Sequence, residues 1–343
     1  MATIEVKQLV RSVAQLVKSL NPRNRDIVAR RFGLKNGVRE TLESIGKSYG
    51  ITRERVRQIE EFALAQLAKA APASRDLTRA IEGARDLIVR EGGVMRERSL
   101  FAAVSGSEKD SAANAALAFA LSLDKGLVRS SDSDRFQAFW AVDARTADSF
   151  REQASGVIGA LSDRNTVMSR EELVQTASAK GVANLNALMA VSKELGQNIF
   201  GELGLASWSQ IHPKGVRDKA FLVIKKAGKP RHFSEIAKLI NQAKFDTKKT
   251  NVQTVHNELI KDDRFVLVGR GMYALAEWGY KSGTVKDVLT DILKTHGKPL
   301  PRADLIARVG KVRLVKENTI LLNLQDSSTF VRDTNGHYTL RRR

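Results

Sequence analysis

No cysteine occurs in the 343 residues. That removes disulfides, thiolate metal sites and thiol nucleophiles together. Histidine is scarce: His212, His232, His256, His296 and His337 stand apart, with neither His-x-x-x-His nor HExxH spacing, so no metal centre is expected. No apolar run approaches the roughly 20 residues that span a bilayer. The opening "MATIEVKQLVRSVAQLVKSL" alternates apolar and charged residues and carries no solid apolar block of the kind found in signal peptides. No membrane association and a cytoplasmic setting are therefore expected. A GxxxxGK[ST] phosphate loop is missing, and no Ser/His/Asp or paired-carboxylate set stands out from background. The expectation is a protein without catalytic residues, metal or cofactor. Aromatic residues make up only 6% of the chain.

What the chain does have is positive charge. The formal net charge is +19, from 57 Lys and Arg against 38 Asp and Glu. Residues 1–72 carry +7, residues 73–148 and 149–212 carry −1 each, residues 213–281 carry +8 and residues 282–343 carry +6. Charge concentrated at the two ends, around a neutral middle, points to a polyanionic partner rather than to general solubility. An apolar fraction of 42% is enough for packed cores.

A repeat organises the chain beyond residue 72. "FQAFWAVD", "GLASWSQI", "GMYALAEW" and "GHYTL" place Trp140, Trp208, Tyr273 and Tyr338 at intervals of 68, 65 and 65 residues. Upstream of each lies a turn and a short amphipathic helix in which Leu100, Leu173, Ile236 and Leu305 are equivalent. Ser169 and Glu172 read as a capping box at one of these helix starts. Each unit reads as three helices followed by a strand–turn–strand. The third hairpin turns at Gly269–Gly271 and the fourth at Asn335-Gly336, with weaker hairpin signals in the first two. The expected fold class is mainly α: a helix-turn-helix head over residues 1–72, then tandem winged-helix-like units with small β-hairpin wings at 73–148, 149–212, 213–281 and 282–343.

In the head, Val6, Val10, Val13, Val17 and Leu20 fall on one helix face. Asn21-Pro22 opens a second helix and Gly33 closes it. Thr41 caps a third, Gly50 makes a tight turn, and Thr52 caps the fourth. On that fourth helix, "TRERVRQIEEFALAQL", Val56, Ile59, Ala63 and Leu67 face inward, and Arg53, Glu54, Arg57 and Gln58 lie on the other side within two turns. Arginine can pair with the guanine edge, glutamate can accept from cytosine N4, and glutamine can pair with adenine. A glutamate would repel phosphate, so its presence among arginines favours base reading over a plain phosphate clamp.

The stretch "RNRDIVARRFGL…TLESIGKSYGITRERVRQIEEFALAQL" closely resembles region 4 of primary-type bacterial sigma factors, over about residues 5–70. That resemblance implies recognition of a promoter −35-like element in double-stranded DNA. Arg53, Glu54 and Gln58 would read bases with Arg57 nearby, and Thr52, Arg55 and Arg31 would position the backbone. It also implies a contact between the apolar surface of the first two helices and the β flap of RNA polymerase core. Two departures are visible: Phe62 stands where the family usually has lysine, and "LAQLAKAAPA" replaces a basic terminal run, so some phosphate grip is lost. No segment resembles the aromatic-rich sigma region that melts promoters, so a complete sigma factor is not expected.

Residues 215–280, with "KPRHFSEIA" and "GRGMYAL", look like the HARE helix-turn-helix domain, whose relatives include the N-terminal domain of the delta subunit of bacterial RNA polymerase. The resemblance leaves DNA and polymerase open as ligands, and the local charge of +8 favours DNA. Asn251, Gln253, Asn257 and Arg270 would then line the contact, with Lys248 and Lys249 on phosphates. The functional expectation is a nucleoid-associated transcription regulator. The alternatives are a DNA-surveillance or defence adaptor that recruits a nuclease, and a structural polymerase subunit.

Overall fold

The computed structural model describes residues 5–341. Two compact units form. The first comprises the chain up to Gln197 together with Gly201–Ser207, and the second comprises Asn198–Phe200 and the chain from Trp208 onward. Among the described residues no helix is long and apolar enough to cross a membrane, and no group of three or more His, Asp or Glu residues could hold a metal ion.

The first unit opens with α1 (Val6–Val17), α2 (Pro22–Phe32), α3 (Leu42–Tyr49) and α4 (Arg53–Ala70). Their limits follow from local chemistry. The Asn21 side chain accepts from the Asn24 amide at 2.8 Å, Thr41 accepts from Ser44 and Thr52 accepts from Arg55, each satisfying an amide that the first helical turn leaves unpaired. Gly33, at φ +71°, ends α2, and a Cβ there would lie 2.8 Å from the backbone of Gly37 and Val38. Only glycine fits that close approach.

Beyond α4 come α5 (Arg75–Arg90), β1 (Val94–Arg96), α6 (Glu97–Ser105), α7 (Ala112–Ser122), β2 (Val128–Ser130) and β3 (Phe139–Ala141). One core runs across residue 72. Leu9, Val13 and Val17 of α1, Ala63 and Leu67 of α4, Leu77 and Ile88 of α5, Leu100 of α6, Phe119 of α7 and Trp140 of β3 are buried in a single cluster. The centre is α7, buried at every position from Asn114 to Leu121. Its sequence, "AANAALAFALS", is apolar all round, as a helix enclosed on all sides requires. Ile27, Ile45 and Val56 form a separate small core that clamps α2, α3 and α4 together. The unit continues with α8 (Ala144–Arg164), α9 (Arg170–Ala179), α10 (Leu185–Val191), β4 (Leu195–Gln197) and β5 (Leu203–Leu205), and α9 opens on the Ser169–Glu172 capping box.

The second unit holds α11 (Val216–Ala227), β6 (Arg231–His232), α12 (Phe233–Ala243), α13 (Val252–Ile260), β7 (Phe265–Gly269) and β8 (Met272–Leu275). It ends with α14 (Val285–His296), β9 (Leu300–Pro301), α15 (Arg302–Val312), α16 (Glu317–Leu324), β10 (Phe330–Arg332) and β11 (His337–Leu340). One core gathers around Ile224, Ile236, Leu259 and Tyr273, another around Leu289, Leu305, Ile320 and Phe330, and a smaller cluster holds Val266, Val268 and Ala274. The Leu314 amide donates to the Val268 carbonyl at 2.9 Å, joining the two halves along β7.

Three of the four hairpins gain a third strand that sequence patterning did not reveal, and β4–β5 stays two-stranded. The sheets run β1-β3-β2, β6-β8-β7 and β10-β11-β9, all antiparallel. The register corrects one expected equivalence. Met95 pairs with Trp140, Arg231 with Tyr273 and Leu300 with Tyr338. In each case the fifth residue after the first partner is the fully buried helix anchor, Leu100, Ile236 or Leu305. The same offset from the anchor Leu173 leads to Met168, whose bridge partner is Leu203. Leu203, not Trp208, therefore occupies the repeat position. Trp208 lies in the turn after β5 and belongs to the second unit. Trp140, Leu203 and Tyr273 are buried at this position and Tyr338 is half-buried, so leucine supplies the bulk there as an aromatic does.

Candidate nucleic-acid interface

α3 and α4 meet across Gly50, which adopts φ +63° and whose amide donates to the Lys47 carbonyl. The pair rests on Ile45 and Val56, both fully buried. α4 therefore presents Thr52, Arg53, Glu54, Arg55, Arg57 and Gln58 to solvent, and all six are exposed.

These groups are not equally free. Glu54 accepts from Arg57 Nη2 at 2.7 Å and from Nε at 2.9 Å, and Glu61 takes the remaining end of the same guanidinium. Those hydrogen bonds hold the Glu54 carboxyl below its ordinary range and raise the Arg57 pKa further. Arg55 Nη1 donates to Gln58 Oε1 at 3.1 Å. Among the described residues the Arg53 side chain has no hydrogen-bond partner. The row thus offers one uncommitted guanidinium at the helix start, a carboxylate and an amide, with Arg57 held between two acids.

Arg31 is placed differently. Its Nε lies 3.2 Å from Glu60 Oε2, and its Nη1 donates to the Glu40 carbonyl at 3.1 Å. It ties α2 to α4 from a half-buried position. Burial pushes the Glu60 carboxyl up, and the Arg31 charge offsets only part of that shift. Arg30 grips Glu40 with two bonds, 2.9 and 2.7 Å, and its Nη1 donates to Ser48 on α3. The loop before α3 is anchored below by Glu97, a buried carboxylate that sequence reasoning did not single out. Glu97 accepts from Arg129 at 2.5 and 2.8 Å and from Trp140 Nε1 at 3.1 Å, and Arg39 lies 3.4 Å away. Burial would raise its pKa, but these cations and the indole hold it below the ordinary range. The signal available beforehand was an acid at a helix start where the neighbouring residues are arginines.

The apolar face of α1 is not open. Leu9, Val13 and Val17 pack with α7, and Phe119 of α7 meets Phe32 of α2 edge-on at 5.2 Å. A groove of about 390 Å³ remains beside them, lined by Val10, Ala14, Pro22, Ala29, Leu34 and Ala116 among others.

In the second unit, Asn251 caps α13, its side chain accepting from the Gln253 amide at 2.7 Å. Gln253 Nε2 donates to Asn257 Oδ1 at 3.0 Å, so two of the expected contact residues form one exposed amide pair. Lys248 and Lys249 are exposed in the segment before α13, and Arg270 is exposed in the β7–β8 turn.

A capped helix that follows a glycine turn and shows arginine, glutamate and glutamine in its first two turns has the geometry of a duplex-reading helix-turn-helix, whose second helix enters the major groove by its N-terminal end. Residues 16–69 match the family model for "Sigma-70, region 4". The chain is 47% identical over 62 residues to the RNA polymerase sigma factor SigA of Nostoc sp., covering 18% of this chain and 16% of that protein. It is 46% identical over 56 residues to the principal sigma factor HrdD of Streptomyces coelicolor, covering 16% and 17%. Against the chloroplastic sigma factor sigF of Arabidopsis thaliana it is 45% identical over 62 residues, covering 18% and 11%. The chain spans about a sixth of the length of the first two of these relatives.

Proposed function

We propose that this protein is a transcription regulator that reads a −35-like element in duplex DNA through α3 and α4 and contacts RNA polymerase core. The observation that carries the reading is the coincidence of the region 4 match at residues 16–69 with a solvent-facing Arg53–Glu54–Gln58 row on a capped helix. In this reading Arg53 pairs with a guanine and Gln58 with an adenine. Glu54 leaves Arg57 to accept from a cytosine, and Thr52, Arg55 and Arg31 set the helix against the backbone.

The segments beyond residue 72 act in this proposal as tandem winged-helix-like units with boundaries near 148, 212 and 281. The unit at 213–281 is read as HARE-like. There Lys248, Lys249, Asn251, Gln253, Asn257 and Arg270 form a second, basic DNA contact, supported by the local charge of +8 and by the exposure of these groups. Polymerase would engage the groove beside α1 and α2 that α7 leaves open, the part of the expected flap-binding surface not covered by the chain itself. Such a protein works with the nucleoid in the cytoplasm.

Selection of a preferred sequence from random duplexes by the full chain, followed by co-elution with polymerase core, tests the reading. A recovered consensus and retention on core support it. Equal binding of all duplexes removes the base-reading function. A consensus without polymerase retention leaves the DNA-surveillance adaptor.

A further inference from the structure

α4 carries one large apolar side chain that the fold does not use. Phe62 is 66% exposed, and it is the sole aromatic among the exposed large apolar residues described. It follows Gln58 by four residues and Arg55 by seven, so the three share one stripe of the helix. The first two are already joined by the Arg55–Gln58 hydrogen bond. Glu54, Arg57 and Glu61 form the adjacent stripe, tied together by their ion pairs. At 1.5 Å of rise per residue, Phe62 stands roughly 10 Å beyond Arg55 along the axis, a span that a major groove about 12 Å wide admits.

A protein partner would need a contiguous apolar patch around such a ring, commonly hundreds of square ångströms. The stripe offers an arginine and a glutamine before the ring and the small Ala65 with Gln66 after it, far short of such a patch, and the neighbouring stripe offers charges. A solitary ring among hydrogen-bonding groups is matched by a solitary methyl group among hydrogen-bonding groups. In the major groove that is the thymine 5-methyl, the one apolar element of the base-edge code. We propose that Phe62 is a specificity-determining residue that contacts a thymine methyl at the end of the element whose other bases fall to Arg53, Glu54 and Gln58. This inference rests on the duplex-reading function proposed above.

The test uses the full chain and the duplex it prefers. Each thymine of the element is replaced singly by uracil, which removes the methyl and keeps every hydrogen-bonding group. At one thymine the substitution should weaken wild-type binding about fourfold, the worth of one buried methyl. Phe62→Ala should bind the thymine duplex about as weakly as wild type binds the uracil one, and should no longer distinguish the two. Phe62→Leu should retain part of the discrimination. Because the ring is mostly in water, neither variant disturbs the core. The inference is overturned if uracil is tolerated at every position by wild type, or if the loss is the same in Phe62→Ala. If Phe62→Ala leaves all duplex affinities unchanged but releases polymerase core, the ring is a protein contact; the methyl assignment then falls while duplex reading stands. If wild type prefers no duplex, both readings fall.

Discussion

At the scale of single residues, the exposed row on α4 separates into groups that are free and groups that must be released. Among the described residues Arg53 has no hydrogen-bond partner to lose, whereas Glu54 would have to give up its bonds to Arg57 to meet a base. The two should therefore respond differently to truncation. Arg53→Ala should cost about 1–3 kcal/mol on the preferred duplex, the worth of a bidentate guanine contact, and much less on a scrambled one. Glu54→Ala should relax base choice while leaving scrambled-duplex affinity equal or higher, because it removes a negative charge and frees Arg57. Titration of both variants against both duplexes checks this. Equal losses on the two duplexes would turn the row into a phosphate clamp.

At the scale of elements, two carboxylates around α3 and α4, the buried Glu97 and the half-buried Glu60, have opposite signs in their pH linkage. Glu97 anchors the loop before α3 through Arg39, Arg129 and Trp140, and its folded pKa lies below the ordinary 4.5. Its contribution is present above that value and is lost as pH falls through the folded pKa. Glu97→Gln should destabilise the protein by on the order of 3 kcal/mol at neutral pH, since two guanidinium groups lose their buried counter-charge. The gap from wild type should close on acidification. Glu60 has the reverse shift: burial raises its pKa above 4.5. The neutral carboxyl is the favoured folded form, so its charge costs stability as pH rises through the folded pKa. Glu60→Gln should be slightly stabilising at neutral pH, by less than about 1 kcal/mol, with no difference from wild type at acid pH. Urea denaturation between about pH 2 and 7 measures both, since the Glu97 contribution is lost only below 4.5, and matching signs for the two variants would contradict the assignment. Much at this scale was legible beforehand. Asn21, Thr41, Thr52 and Ser169 cap their helices through contacts within three residues, so short-range chemistry sufficed to find them. Strands β1, β6 and β9 were not legible, because two or three residues carry no periodicity. Trp208 was misplaced because residue type was taken as the marker of register, when the sheet required only bulk at Leu203. α7 gave no face to read, being buried all round, so its hold on α1 was invisible until the helices were seen together.

At the scale of the whole molecule, the charge map and the cores together decide how division of labour can be tested. The head carries +7 and residues 213–343 carry +14, with −2 between them. Cutting at residue 72 to compare the parts would split the core that joins Leu9 and Leu67 to Leu100 and Trp140. The comparison therefore belongs in the intact chain. Affinity for duplex falls with salt at a slope near −0.9 for each phosphate neutralised. If the exposed cations of the second unit lie on DNA, replacing Lys248, Lys249 and Arg270 together by glutamine should flatten the slope by up to about 2.7. It should weaken all duplexes alike and leave base preference unchanged, since phosphate contacts position the protein and base contacts specify the site. Replacing Arg145 and Lys180, exposed cations of the neutral middle, should leave the slope where it was. Titrations at several salt concentrations separate the outcomes. An unchanged slope in the triple variant, accompanied by weaker retention on polymerase core, would move the basic second unit from DNA to the polymerase. The α4 row would then be left as the surface that meets the duplex.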